Sequence, residues 1–430
     1  MRRWPFHLTV MSLATGLCAQ APVLQDGATA LRQAQRTWTT GEEPLPPLAL
    51  PSLEVGLGGA GSEGRYAPLV GGEGLGRAVE GWGLGLQGRY VSGGWSVAAT
   101  ALGLRVGGMT RGYLLRAAIA YRWESGWRLA LEQQPFDWGA GFEGGDLLGD
   151  AARPFPRLSW STPEASLPFG RGRAEAFAGR LEADRPIPDW IPDRGARLAA
   201  QAGGLDLRRP WIYGGMLRAA FGSVLEASLG SVRMEGGEDP AGRTAPASSA
   251  RTWSLAEVKV RIPVLARFVG ARGAAIHLSR SAAPDNRALT LTPARSLGGL
   301  QLVWDRWDVG LEYAGAGPSA PSGTFSQPAY LAGSSTFGDP LGAAFGREAI
   351  TRTVELGMPL FLEGQGRLRG VRGTSASPLA PGFWFLQGEA QWRTPTGRIG
   401  ASLASRRDEV PGSSVRWGWT FSLFQSFRVF

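Results

Sequence analysis

The chain has 430 residues, a formal net charge of +9 and 43% hydrophobic residues, yet it contains no run of about 18 consecutive apolar residues, which excludes a bundle of membrane-spanning helices. The basic excess is nearly all arginine, since Lys259 is the only lysine, and the arginines are scattered among apolar residues, which argues against a nucleic-acid-binding stripe. Cys18 is the only cysteine and the histidines are His7 and His277, so no disulfide framework, Cys/His metal site or redox pair can be built.

In chain order, the first element is an export leader. Met1, Arg2 and Arg3 form a positive start, Leu8 to Leu17 an apolar stretch, and Ala19, Gln20 and Ala21 a signal-peptidase site, so residues 1–21 read as a Sec-type signal peptide. Cys18 offers lipidation as an alternative, but Leu17 and Thr15 fit that signal badly. Residues 22–50 read as an N-terminal periplasmic segment. Leu24, Ala28, Leu31 and Trp38 fall on one helical face, with Asp26 as a cap and Pro44, Pro46 and Pro47 as the stop. A disordered lead-in is the alternative there.

From Leu53, and frequently from Trp82, the pattern changes to a period of two. In Tyr113 to Trp123 the odd positions are Tyr113, Leu115, Ala117, Ile119, Tyr121 and Trp123, with Arg116 and Arg122 between them. A turn at Glu124, Ser125 and Gly126 leads to Trp127, Leu129 and Leu131. Leu300, Leu302 and Trp304 turn near Asp305 into Trp307, Val309, Leu311 and Tyr313, alternating with Asp308, Gly310 and Glu312. Trp384, Leu386, Gly388, Ala390 and Trp392 oppose Phe385, Gln387, Glu389, Gln391 and Arg393. A last run passes through Val415, Trp417, Trp419, Phe421 and Leu423. One face of each strand thus suits lipid and carries aromatic residues at its ends, as interface girdles do. The other face is polar and rich in arginine. The end at Phe430 suits a substrate of the barrel-insertion machinery, although Phe430 is out of phase with Phe427 and Val429, which predicts a bulge or a frayed end. A periplasmic all-β protein is the soluble alternative.

Long polar stretches at residues 235–250, 315–338 and 372–382 are expected extracellular loops. With strands of roughly 10 residues, about 16 to 18 fit. The expected fold class is all-β: a transmembrane antiparallel β-barrel over residues 51–430, behind the short periplasmic helical segment.

Three segments carry more specific information. Gln134 to Gly141 is followed by Gly149 to Pro156; Gly179 to Asp189 and Leu341 to Gly346 come later. In this order they resemble the Wzi-type capsule assembly family of outer-membrane proteins. That family carries Trp-Trp-Gly-Pro, Asn-Ala-Arg-Pro, Asp-Arg-Pro-Ile-Pro and Leu-Gly-x-x-x-Gly elements. Here Trp138 and Gly139 remain of the first, with one tryptophan displaced and the proline lost. Arg153 and Pro154 close the second. Asp184, Arg185, Pro186, Ile187 and Pro188 match the third throughout, and Gly342 and Gly346 supply the fourth. The resemblance implies an 18-stranded barrel with helices at its periplasmic mouth, and a lectin-like role in holding capsule or exopolysaccharide, without catalysis, cofactor or metal. The N-terminal helical region is shorter than the family's.

Physical reasoning assigns the motif residues a structural or lumenal role, because two prolines around Ile187 cannot sit in a central strand. Glycan contact is better suited to Trp190, Trp211, Tyr213, Phe325 and Tyr330. The expected location is the bacterial outer membrane, the expected partners being surface polysaccharide, lipid and lipopolysaccharide, with no nucleic acid. A porin or substrate-specific channel is the alternative, favoured by the mixed Arg/Glu/Gln face. An outer-membrane enzyme would have to use His277.

Overall fold

The computed structural model describes residues 39–40, 52–64, 81–106, 109–134, 138–139, 142, 148, 154–183, 198–199, 201–202, 207–245, 250–282, 293–316, 335–336, 339–340, 349–375, 382–395, 397–409 and 416–428. The expected leader and nearly all of residues 22–50 lie outside these. The first strands are β1 (Ser52–Gly64), β2 (Gly81–Ser92), β3 (Trp95–Val106), β4 (Met109–Arg122), β5 (Arg128–Gln133), β6 (Arg157–Ser161) and β7 (Ala165–Leu167). Then come β8 (Gly170–Arg180), β9 (Trp211–Phe221), β10 (Leu225–Glu235), β11 (Arg251–Arg261), β12 (Gly273–Ala282), β13 (Pro293–Val303) and β14 (Asp308–Ala316). After the small pair β15 (Ser335–Thr336) and β16 (Asp339–Pro340) follow β17 (Ala349–Pro359), β18 (Gln365–Ser375), β19 (Gly382–Thr394), β20 (Gly397–Glu409) and β21 (Arg416–Arg428).

All but β15 and β16 belong to one antiparallel sheet of nineteen strands. Strands next to each other in the sheet also follow one another along the chain, except that β14 pairs with β17 and that β6 and β7 lie one after the other against β8. β1 pairs with β2 on one side and with β21 on the other. The ladder therefore returns to its start, which is how an antiparallel sheet satisfies its edge groups without water. No helix among the described residues is long and apolar enough to cross a membrane.

The two faces are inverted relative to a water-soluble sheet. On β19, Leu386 is 51% exposed while its neighbour Gln387 is 3% exposed. On β20, Leu403 is 55% exposed and Ser402 5%. Val258, Leu278, Leu311 and Val354 are exposed, whereas Glu257, His277, Glu312 and Glu355 are buried. An apolar outer face and a polar inner face fit a sheet surrounded by hydrocarbon. Aromatic side chains mark the outer face near both ends. At one end Trp95, Tyr121 and Trp123 form a chain of rings at 4.9 and 5.0 Å, and Trp127 stacks on Trp160 at 4.9 Å. At the other, Trp384 lies under the Arg372 guanidinium, 4.9 Å from its carbon to the ring centre. Trp384 to Trp392 on one strand spans about 27 Å at roughly 3.4 Å per residue.

The connections separate the same two ends. β2–β3, β4–β5, β7–β8, β9–β10, β13–β14, β17–β18 and β19–β20 are joined by two to five residues. A short helix, Pro263–Phe268, makes the β11–β12 connection at that end. The opposite end carries the long connections, including residues 134–156, 181–210, 236–250 and 317–348, together with the two-residue β3–β4 connection.

Two expectations are corrected. The register of β3 with β4 passes from Thr100↔Arg116 to Ala101↔Leu114, so Leu115 is an extra residue. This bulge reverses the phase: Leu114, an even position, is 51% exposed, alongside odd Ile119. Residues 372–375 extend β18 instead of belonging to a loop. Of the bulge or frayed end expected near the C-terminus, no bulge falls within β21, whose register against both β20 and β1 is unbroken up to Phe427 and Arg428, and the frayed end falls on residues outside those described. Phe430 lies outside the described residues.

Candidate functional site

The inner face carries paired charges. Glu257 accepts from Lys259 at 3.0 Å, Glu355 binds Arg367 and Arg369, and Arg406 meets Asp408 at 2.9 Å. These pairs lie on neighbouring inward positions of adjacent strands or of one strand, where burial makes pairing obligatory.

The connection between β5 and β6 turns inward and meets the wall in two places. Trp138 is buried, its indole Nε1 donates to Glu175 Oε2 of β8 at 3.2 Å, and its ring lies edge-on to Phe177 at 5.1 Å. Four residues later, the Phe142 backbone N–H donates to Glu312 Oε2 of β14 at 2.7 Å. Glu312 Oε2 also lies 3.2 Å from His277 Nε2, and the His277 ring is edge-on to Phe142 at 5.2 Å. A Cβ at Gly310 would come within 2.7 Å of the Phe142 ring, so the close approach needs glycine there. Five strands, β9 to β13, separate β8 from β14. Trp138 and Phe142, four positions apart in the chain, thus touch two wall positions that are separated by five strands around the sheet.

Beside this crossing, Trp138, Leu148, Phe155, Leu181 and Leu207 pack with Phe177, Ile212, Met216, Val232, Met234, Trp253 and Leu255 in one buried cluster. Connection residues supply five of these side chains and the inner face of β8–β11 the rest. A second inward contact comes from Thr39, which is buried and donates from Oγ1 to Gln301 Oε1 at 2.7 Å. Thr39 and Thr40 are helical.

A further part of the inner wall is rich in arginine. Arg122, Arg128, Arg157, Arg173 and Arg218 line a cavity of about 350 Å³ with Glu132, Glu175, Trp138 and Phe177. Glu132 binds Arg128 at 2.7 Å and Arg157 at 3.0 Å.

Of the residues singled out in the sequence, Trp138 and Gly139 are buried in the crossing segment, Gly139 with φ 133°. Pro154 is buried nearby. Trp211 and Tyr213 share the outward phase of Leu217 at the long-connection end. Arg180 lies over the Trp211 ring at 5.6 Å, and Tyr213 Oη donates to Glu235 at 2.6 Å. Arg153, Asp184, Arg185, Pro186, Pro188, Trp190, Phe325, Tyr330, Gly342 and Gly346 lie outside the described residues. Sequence reading missed Phe142, Glu175 and Glu312. Glu312 carried a signal, as a carboxylate on the face opposite Leu311 and Tyr313; Phe142 carried none. His277 sits against Glu312, and no group of three His, Cys, Asp or Glu residues among the described ones could hold a metal ion.

No protein-family model matches the chain, and no curated protein matches it. Among solved structures, it is similar to Wzi of Escherichia coli, an outer-membrane protein involved in group 1 capsule assembly and described as a carbohydrate-binding β-barrel. The identity is 17%, the TM-score 0.64, and the match covers 94% of this chain and 88% of that one. Acinetobacter baumannii OccAB3 matches with 11% identity and TM-score 0.50, over 89% of this chain and all of the other. Pseudomonas aeruginosa OccK5 (OpdH) matches with 10% identity and TM-score 0.50, over 88% and 98%. At such identities the likeness is one of fold, and the chain shares the fold of outer-membrane β-barrels.

Proposed function

We propose that this chain is a bacterial outer-membrane barrel of eighteen staves that binds surface polysaccharide and helps assemble or anchor a capsule or exopolysaccharide, without catalysis. The stave count takes β6 and β7 as one interrupted wall position. The observation that carries the reading is the crossing segment, fixed to β8 through Trp138 and to β14 through Phe142. A lumen bridged in this way suits a scaffold better than a diffusive pore. The likeness to a carbohydrate-binding barrel supports the same choice. With tight turns in the periplasm and long connections outside, the segments holding Trp190, Phe325 and Tyr330 face the medium, where a glycan is met. The barrel-insertion machinery places the chain among lipid and lipopolysaccharide.

Deletion of the gene tests the reading: cell-bound polysaccharide should fall and released polysaccharide rise. Unchanged attachment contradicts it. A substrate-specific channel is the second reading, favoured by the charged inner face. It expects stable open steps in planar bilayers, where a bridged scaffold gives none.

A further inference from the structure

Among the described residues of the inner wall, positive charge gathers in one cavity. Elsewhere among the described residues, acids and bases meet in small groups: Lys259 with Glu226 and Glu257, Glu355 with Arg367 and Arg369, and Arg406 with Asp408. The cavity on β4, β5, β6, β8 and β9 instead holds five guanidinium groups against two carboxylates, an excess of three positive charges. Both carboxylates are already engaged: Glu132 by Arg128 and Arg157, Glu175 by Arg173 and the Trp138 indole.

The register sharpens the point. Arg173 and Arg218 are direct cross-strand partners, and so are Arg122 and Arg128. Like charges placed directly opposite each other oppose pairing of their strands. Two such pairs lining one cavity, on β4–β5 and on β8–β9 with β6 between them, concentrate positive charge that an anion would relieve. Arginine is suited to that task, because its planar fork donates two parallel hydrogen bonds to a carboxylate or phosphate. The side chains are wet enough to be reached: Arg173 is 49% and Arg128 26% exposed. Trp138 closes one side with an aromatic surface, and at about 350 Å³ the space is within the range of small-molecule sites, which begins at roughly 300 Å³.

The position is also informative. Arg122 and Arg128 are the last paired residues before the tight turn of the β4–β5 hairpin. The cavity thus lies between the tight-turn rim and the Trp138 crossing.

We propose that this cavity is an oxyanion site that takes a carboxylate- or phosphate-bearing saccharide from the tight-turn side of the barrel. The proposal goes beyond surface attachment, since neither the loop aromatics nor the outer rim takes part in it.

The test uses the full mature protein in neutral detergent and two probes of equal length, tetragalacturonate and maltotetraose, with binding followed by calorimetry. The expected result is binding of the acidic probe that weakens at least tenfold in the double variant Arg173→Gln/Arg218→Gln and falls as salt rises, with no binding of the neutral probe. Arg352→Gln, an exposed position on the outer phase of β17, should bind as the parent does. Displacement of the acidic probe by inorganic phosphate would support the site as one for oxyanions in general. Equal affinity for both probes, no binding of the acidic probe, or affinity unmoved by the double variant overturns the proposal. Retained strand circular dichroism in the double variant separates loss of the site from loss of the fold. These outcomes leave the gene-deletion test of polysaccharide attachment untouched, so the two readings fail separately.

Discussion

Glu312 does two things with one oxygen: it accepts the Phe142 backbone N–H and sits against His277. Replacing it with alanine should free the far end of the crossing segment while leaving the β14 ladder intact. A hydrogen bond to a buried charged group contributes about 1.5–3 kcal/mol, enough to shift the tethered population by more than tenfold. Glu312→Ala should therefore cleave faster within residues 134–156 in limited proteolysis and show new conductance steps. An unchanged proteolytic pattern would mean that Phe142 is held by packing alone. At the other end, Trp138→Ala removes the largest connection residue of the buried cluster and should cost about 3–5 kcal/mol in denaturant unfolding. The sequence pointed to Trp138 and His277, by motif and by rarity. It did not reveal their partners, because Phe142 and Glu312 are 170 positions apart and nothing local in either records the other.

At the level of the strand, the period-two pattern was legible wherever the two faces differ strongly, as on β14 and β19, where Leu311 and Leu386 oppose Glu312 and Gln387. It failed at β4 for a definite reason. The bulged residue is Leu115 and its neighbour is Leu114; two identical side chains leave no mark when the phase slips between them. Deleting Leu115 should remove the bulge and leave Leu114 opposite Ala101 and Arg116 opposite Thr100, each on its present face, so the variant should still insert and resist urea extraction from the membrane fraction; its loss from that fraction would contradict this. On β19 the outward position is equally constraining. Leu386→Arg should cost about 2–4 kcal/mol if it lies near the bilayer midplane, measured by unfolding from detergent or lipid. The β17–β18 turn offers a gain. Leu362 and Glu363 both have positive φ, 53° and 58°, which non-glycine residues tolerate poorly. An Asn-Gly turn fits that geometry, so Leu362→Asn with Glu363→Gly should stabilise the hairpin by about 1–2 kcal/mol.

For the whole molecule, the decisive feature is inversion: charges and hydroxyls within, aliphatic groups without, tryptophans at the ends. Fold class and strand periodicity were legible because a sheet with two unlike faces imposes them on every strand separately. The inward connections were not, because they depend on which distant walls come to face each other. An outer face of this composition should meet hydrocarbon. Spin labels placed one at a time from Asp308 to Ala314 in liposomes test it most directly, through their access to oxygen and to a polar relaxant. The expected result is alternation with a period of two, with oxygen favoured at Val309, Leu311 and Tyr313 and not at Asp308, Gly310 and Glu312. Equal access of the polar relaxant to both sets would contradict it.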